Sequence, residues 1–259
     1  MKQRTTTRLV LLAIAVTAAL TALLLAACGS PASDTNAANT DNSSNSANTS
    51  AAANAPVTLR VGAAQVPHAE LLEFIKPTLA EQGVNLEIIV PTDESQLNLL
   101  VDDGELDVNY MQHEPYLDSV VAEKGFDLVS VGGIHVEPIG AYSTRYASAS
   151  EVPDNAVVAI PNDGTNEYRA LRILEEAGFI TLKPDIDPVT TTKNDIATYV
   201  KPIEIVELEA GLIVRTSDEY DVYISNTNRI LEAGIDPTTN LFREGADSPY
   251  ANILVTKSA

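Results

Sequence analysis

One cysteine, Cys28, stands in a chain of 259 residues. No internal disulfide can form, so whatever folds here must be held by an apolar core. The cysteine closes a segment that begins with Lys2, Arg4 and Arg8 and continues as an apolar, small-residue run over residues 9–27, broken only by Thr17 and Thr21. A basic start, an apolar centre and small residues before a cut site are the layout of a secretory signal. Leu25-Ala26-Ala27-Cys28 lets a peptidase reach the bond before Cys28, whose freed amine and thiol can then carry acyl chains. Two or three chains anchor stably where one does not, each buried methylene adding about 0.8 kcal/mol. Residues 1–27 are therefore expected to be a signal peptide. Cys28 is expected to carry the lipid that anchors the chain on the extracytoplasmic face of the cell membrane. An uncleaved span has the necessary length, but it leaves the placement of the sole cysteine unexplained.

Residues 29–55 are Ser, Thr, Asn and Ala almost throughout, with no aromatic or large aliphatic side chain. Such a stretch cannot bury enough apolar surface to offset its ordering entropy, and it is expected to be a flexible tether. What remains, residues 56–259, is of one-domain size or two small lobes. The full chain carries a net charge of −20, and loss of the three basic leader residues makes it more acidic still. That excess argues against nucleic acid and anionic lipid surfaces as partners, and it keeps an exported protein in solution.

The folded part alternates two periodicities. Residues 57–62, 86–90, 106–111, 128–131 and 138–144 have strand character. Residues 67–82, 93–101 and 113–125 between them carry apolar positions at helical spacing. The pattern continues with strands at 156–160, 203–208, 221–224 and 251–256, and helices at 165–177, 209–216 and 228–233. Alternation of this kind predicts an α/β fold, with mixed sheets flanked by helices. Two such units joined by crossing strands imply two lobes with a cleft that closes by hinge motion.

Five motifs occur in order: Tyr110-Met111-Gln112-His113-Glu114-Pro115-Tyr116-Leu117; His135-Val136-Glu137-Pro138-Ile139-Gly140-Ala141-Tyr142-Ser143; Pro161-Asn162-Asp163-Gly164-Thr165-Asn166 with Arg169-Ala170-Leu171; Glu207-Leu208-Glu209-Ala210; and Ser248-Pro249-Tyr250-Ala251-Asn252. Together they closely resemble the methionine-binding lipoprotein family, often called NlpA or MetQ, from about residue 57 to 257. The resemblance implies a two-lobed type II periplasmic-binding-protein fold and capture of methionine or a related amino acid between the lobes. It further implies delivery to an ABC permease whose own ATPase supplies the energy, and no cofactor. Transferred to this chain, lobe one is 56–140 with 247–259, and lobe two is 141–246.

The same resemblance assigns roles. Arg169, early in its helix, becomes the clamp for the ligand carboxylate, as a guanidinium fork suits; otherwise it is a solvated surface arginine. Asn226 and Asn228 match the two asparagines of the family's Asn-Gly-Asn turn, and an amide can donate to a carboxylate and accept from an ammonium; otherwise they shape or cap the turn. His113 and Tyr116, three residues apart on one helical face, match positions lining the side-chain pocket; otherwise His113 caps a helix and Tyr116 fills the core. Gln112 and His135 are weaker candidates. Met111 stands where the family usually has Phe, and Glu94 where it usually has Tyr. Both positions are expected at the side-chain pocket. An unpaired Glu94 carboxylate there would cost several kcal/mol or take up a proton, unless a ligand amine answered it; otherwise Glu94 points into solvent at a helix start, where an acid is favoured. Residues 211–215 also depart from the family's usual pattern. The resemblance implies further helices on lobe one past the strand at 251–256; either the sequence is truncated, or lobe one is expected to leave apolar surface uncovered and the chain as written to lose stability or self-associate.

Three other classes were weighed. For an enzyme, His68, His113 and His135 are the only histidines, and the chain has no nucleophile elbow, no H-E-x-x-H and no phosphate-binding glycine loop. For a metal-binding lipoprotein, His113 and His135 with Glu114 and Glu137 offer donors, but helix and strand placement does not obviously unite them, and no metal is expected. An adhesin or receptor that kept the fold, or a carrier of a different amino-acid-like or short peptide ligand, is the alternative to import.

Overall fold

The computed structural model describes residues 55–245 and 247–258. The expected signal peptide, the expected lipid site Cys28 and all but the last residue of the expected tether over residues 28–55 lie outside them.

Lobe one opens with β1 (Val57–Ala63), in which Val61 and Ala63 turn inward. A kinked turn at Gln65–Ala69 leads into α1 (Glu70–Glu81). Then come β2 (Val84–Ile89), a short 3-10 turn at Glu94–Gln96 and α2 (Leu97–Asp102). After them follow β3 (Val108–His113), α3 (Glu114–Lys124) and β4 (Leu128–Val136). The last strand, β12 (Ala251–Lys257), returns from the far end of the chain. It lies antiparallel between β3 and β4, giving the order β2-β1-β3-β12-β4. β1 is parallel to both β2 and β3. Helices cover both faces, one over Val61, Leu72, Leu86 and Tyr110, the other over Leu97, Val101, Leu117, Ile253 and Val255.

Lobe two contains β5 (Ile139–Tyr142), β6 (Ala156–Pro161) and α4 (Gly164–Glu176). A small antiparallel pair, β7 (Ile180–Leu182) and β8 (Ile196–Tyr199), follows. β9 (Ile203–Leu208), α5 (Ala210–Ile213), β10 (Val222–Asn226), α6 (Thr227–Glu232) and β11 (Phe242–Arg243) complete it. The second sheet has the order β11-β5-β10-β6-β9. The apolar stripe of α4 (Ala170, Leu171, Ile173, Leu174) closes one face of it in a single cluster with Ile139, Val158, Ile160, Val222 and Ile224.

The chain crosses between lobes twice, through Glu137-Pro138 and through residues 244–250. The first crossing comes earlier than the family resemblance implied: Ile139 and Gly140, expected in lobe one, pair within the second sheet. The crossings are tied to each other. Glu244 N donates to Ile139 O at 3.0 Å, and Ile139 N donates to the Glu244 carboxylate at 3.1 Å.

Candidate functional site

Between the lobes lies a cavity of about 570 Å³, lined from both sides. It sits beyond the carboxyl ends of the parallel strands, where α/β sheets receive ligands. Element starts converge on it. His113 caps α3, its Nδ1 accepting from Tyr116 N at 3.2 Å. Asp163 caps α4, accepting from Asn166 N at 3.0 Å. Asp93, Glu209 and Asn226 hold the cap positions of the 3-10 turn, α5 and α6. Gly164, the first residue of α4, cannot be larger: an added Cβ would stand 2.1 Å from the Val189 carbonyl oxygen.

Six of the residues singled out from sequence come together on this wall: Glu94, Met111, His113 and Tyr116 from lobe one, Asn226 and Asn228 from lobe two. The weaker candidate Gln112 also lines it. Its Nε2 donates to Asn98 Oδ1 at 2.6 Å and Asn109 Oδ1 at 2.9 Å, in a buried amide cluster beneath the floor. Because His113 Nδ1 accepts a backbone proton, Nε2 carries the other and faces Asn166 Oδ1 across the cleft at 3.4 Å. Burial, reinforced by the positive charge of Arg169, pushes the His113 pKa down to about 3, so the ring is neutral. Burial likewise pushes the Tyr116 hydroxyl up to about 12 and keeps it a neutral donor. His113 therefore both caps a helix and faces the cleft.

Arg169 is placed differently from its expectation. It is 1% exposed and does not line the cavity. Glu244 takes its Nε at 2.8 Å and an amino group at 2.6 Å. The Glu137 carbonyl and Asn166 Oδ1 accept further bonds at 2.8 and 3.3 Å, and the Tyr250 ring lies 4.1 Å beneath the guanidinium. Its immediate work is structural: it fastens α4 to both crossings and orients Asn166. That amide oxygen also receives Asn226 Nδ2 at 3.0 Å, so one side chain collects donors from both lobes.

Glu94, expected from sequence either to answer a ligand amine or to point into solvent at a helix start, has a partner within the chain. Arg229, on α6, donates to its carboxylate at 2.7 Å. Burial still raises the Glu94 pKa, opposed by the arginine. Arg229, Asn166, Asn252 and Glu137 all line the cavity or its floor and were missed as site residues. The signal for Arg229 was its place beside Asn228 in the same turn.

The metal-ligand set considered from sequence does not assemble. His68, His135 and Glu137 are the three whose donor atoms lie within 4.8 Å of one another among the described residues. These atoms already serve each other: His135 Nε2 meets Glu137 at 2.9 Å, its Nδ1 meets Tyr110 OH at 2.5 Å, and His68 Nε2 meets Asn252 Oδ1 at 3.2 Å. Burial lowers the His68 pKa, consistent with a neutral ring packed against Tyr110. The cluster braces the floor where both crossings pass.

Residues 59–259 match the sequence profile described as NlpA lipoprotein. The membrane lipoprotein TpN32 of Treponema pallidum is 39% identical over 201 residues, covering 77% of this chain and 75% of that protein. The probable D-methionine-binding lipoprotein MetQ of Vibrio cholerae is 32% identical over 248 residues, covering 95% and 84%. A solved nutrient-binding protein from Burkholderia cenocepacia, bound to methionine, superposes with a TM-score of 0.72 at 36% identity, covering 77% of this chain and 84% of that one.

Proposed function

This chain belongs to the NlpA lipoprotein family, and on that premise we propose that it is an extracytoplasmic solute-binding lipoprotein. It captures methionine or a closely related amino acid in the cleft between its lobes and delivers it to an ABC permease and its ATPase. The lipid on Cys28 and the tether keep it beside that permease, where a high local concentration replaces diffusion. Relatives named for methionine binding are binding lipoproteins, and the cleft is read here as a carrier site, with no catalytic step assigned to it.

The observation that carries the proposal is a cavity of about 570 Å³ between the lobes, lined by amides, His113, Tyr116, one thioether and several charged side chains. A cavity of this size suits a small molecule. The Asn228 amide makes no side-chain hydrogen bond among the described residues and is 7% exposed; it can donate to a carboxylate or accept from an ammonium. Tyr116 and Met111 offer an aromatic face and a soft side chain to a thioether. Arg169 acts from behind, through Asn166.

Native mass spectrometry of the purified lipidated chain, followed by denaturation, should release a bound amino acid. Calorimetry should then show methionine binding weakened by about tenfold or more in Asn228→Ala, the loss of one or two hydrogen bonds. A chain that releases no amino acid and binds none at millimolar concentration would remove the proposal.

A further inference from the structure

We propose that Glu94 and Arg229 are the specificity-determining pair of this cleft: a charge-neutral clasp across the two lobes that confines the site to ligands with an uncharged side chain. The selectivity rests on the binding function proposed above; the clasp itself does not.

Glu94 opens the 3-10 turn of lobe one, and Arg229 is the third residue of α6 in lobe two, 135 positions along the chain. Their 2.7 Å contact spans the cleft, and both side chains line the cavity. They are 12% and 25% exposed, so water screens them poorly. Arg229 also reaches Glu232 at 3.5 Å along its own helix, which fixes the direction of the guanidinium. Beside the pair, α6 packs against the kinked turn of lobe one, and His113 faces Asn166. The clasp is thus the charged member of a closed seam.

A half-buried ion pair tolerates a neutral neighbour and resists a charged one. A ligand side chain with one charge that drew on this pair would leave either Glu94 without its cation or Arg229 with only the longer 3.5 Å contact to Glu232. An uncharged side chain leaves both satisfied. Discrimination comes from this penalty on the wrong ligand as much as from contacts to the right one. Removing one partner creates a vacancy of defined sign. Arg229→Met exposes Glu94 to a cationic side chain, and Glu94→Gln exposes Arg229 to an anionic one.

The test uses the full lipidated chain as wild type, Glu94→Gln, Arg229→Met and the exchanged pair Glu94→Arg with Arg229→Glu. Each is titrated with methionine, lysine and glutamate, and its radius of gyration without ligand is measured by X-ray scattering. Circular dichroism verifies that each variant folds. Wild type should bind methionine and neither charged amino acid. Arg229→Met should shift the lysine-to-methionine affinity ratio by about tenfold or more, and Glu94→Gln the glutamate-to-methionine ratio likewise. Both single variants should be more open without ligand, and the exchanged pair should recover closure and the methionine preference. Single variants that keep the wild-type ranking and the wild-type radius would overturn the proposal. A wild type that binds none of the three would sink the proposed function and the selectivity with it. Scattering would still decide the clasp, which falls if the single variants stay as closed as wild type.

Discussion

Lobe two encloses most of its interior in one large cluster, from Ile139 through Leu171 and Leu174 to Ile224, with a second, smaller cluster of Tyr142, Ile213 and Ile230 covering the other face. Lobe one divides its interior into two clusters of similar, smaller size and leaves more apolar side chains in water than lobe two does. Phe74 is 82% exposed, Val131 64% and Ile134 52%. The difference shows how a cleft of this kind is organised. The lobe that supplies Asn166, Asn226, Asn228 and Arg229 is the better packed, so it can hold these groups in fixed positions. The lobe that supplies His113, Tyr116 and Glu94 is the less continuously packed of the two. A pair of cavity-making substitutions tests this contrast most forcefully. Leu171→Ala in lobe two, at 0% exposure, should cost toward the upper part of the roughly 2–5 kcal/mol range for such changes, and Leu72→Ala in lobe one, at 7%, toward the lower part. Urea midpoints of the two variants read the difference. Equal losses would mean that the lobes are packed alike and the contrast is superficial.

The seam offers a second test, through pH. His113 is neutral in the fold, with its pKa pushed down to about 3 by burial and by Arg169. In the unfolded chain it protonates near 6.5, about the ordinary histidine value. Between these limits the unfolded state binds the extra proton. His113 therefore contributes full stability above about pH 6.5 and loses it as pH falls toward 3, by about 1.4 kcal/mol per pH unit within the window. Other groups titrate there too, so the informative quantity is the difference between wild type and His113→Gln. The variant should show the shallower loss between pH 6 and 4. Parallel curves would place His113 in a wetter, more open seam than the structure shows.

The sequence made the alternation of elements legible because periodicity and stop signals are local. Gly125 ends α3 with φ 73, a conformation that favours glycine, at the end of the helix expected over residues 113–125. The site was legible wherever a motif was continuous, as at His113 and Tyr116 or Asn226 and Asn228. It was not legible where a role depends on a distant partner. Arg169 meets Glu244 across 75 residues and Glu94 meets Arg229 across 135, and no window of sequence contains both members. The β7–β8 pair was missed for the opposite reason: strands of three and four residues are too short to show a period.

The smallest expected effect on stability concerns the outer face of lobe one. Leu71, Phe74 and Ile75 are exposed at spacings that place them side by side on α1. Phe74→Ser removes the largest of them without touching either core cluster, so the folding free energy should move by no more than about 0.5 kcal/mol. Association is a different matter, because contiguous exposed apolar surface drives contact between copies. Val200→Ser in lobe two is the comparison, since Val200 is 59% exposed and lies on the other lobe. Sedimentation over a range of concentrations should show Phe74→Ser reducing self-association and Val200→Ser leaving it unchanged. If both variants behave as wild type, the apolar surface of lobe one is too dispersed to act, and the difference between the lobes is confined to their interiors.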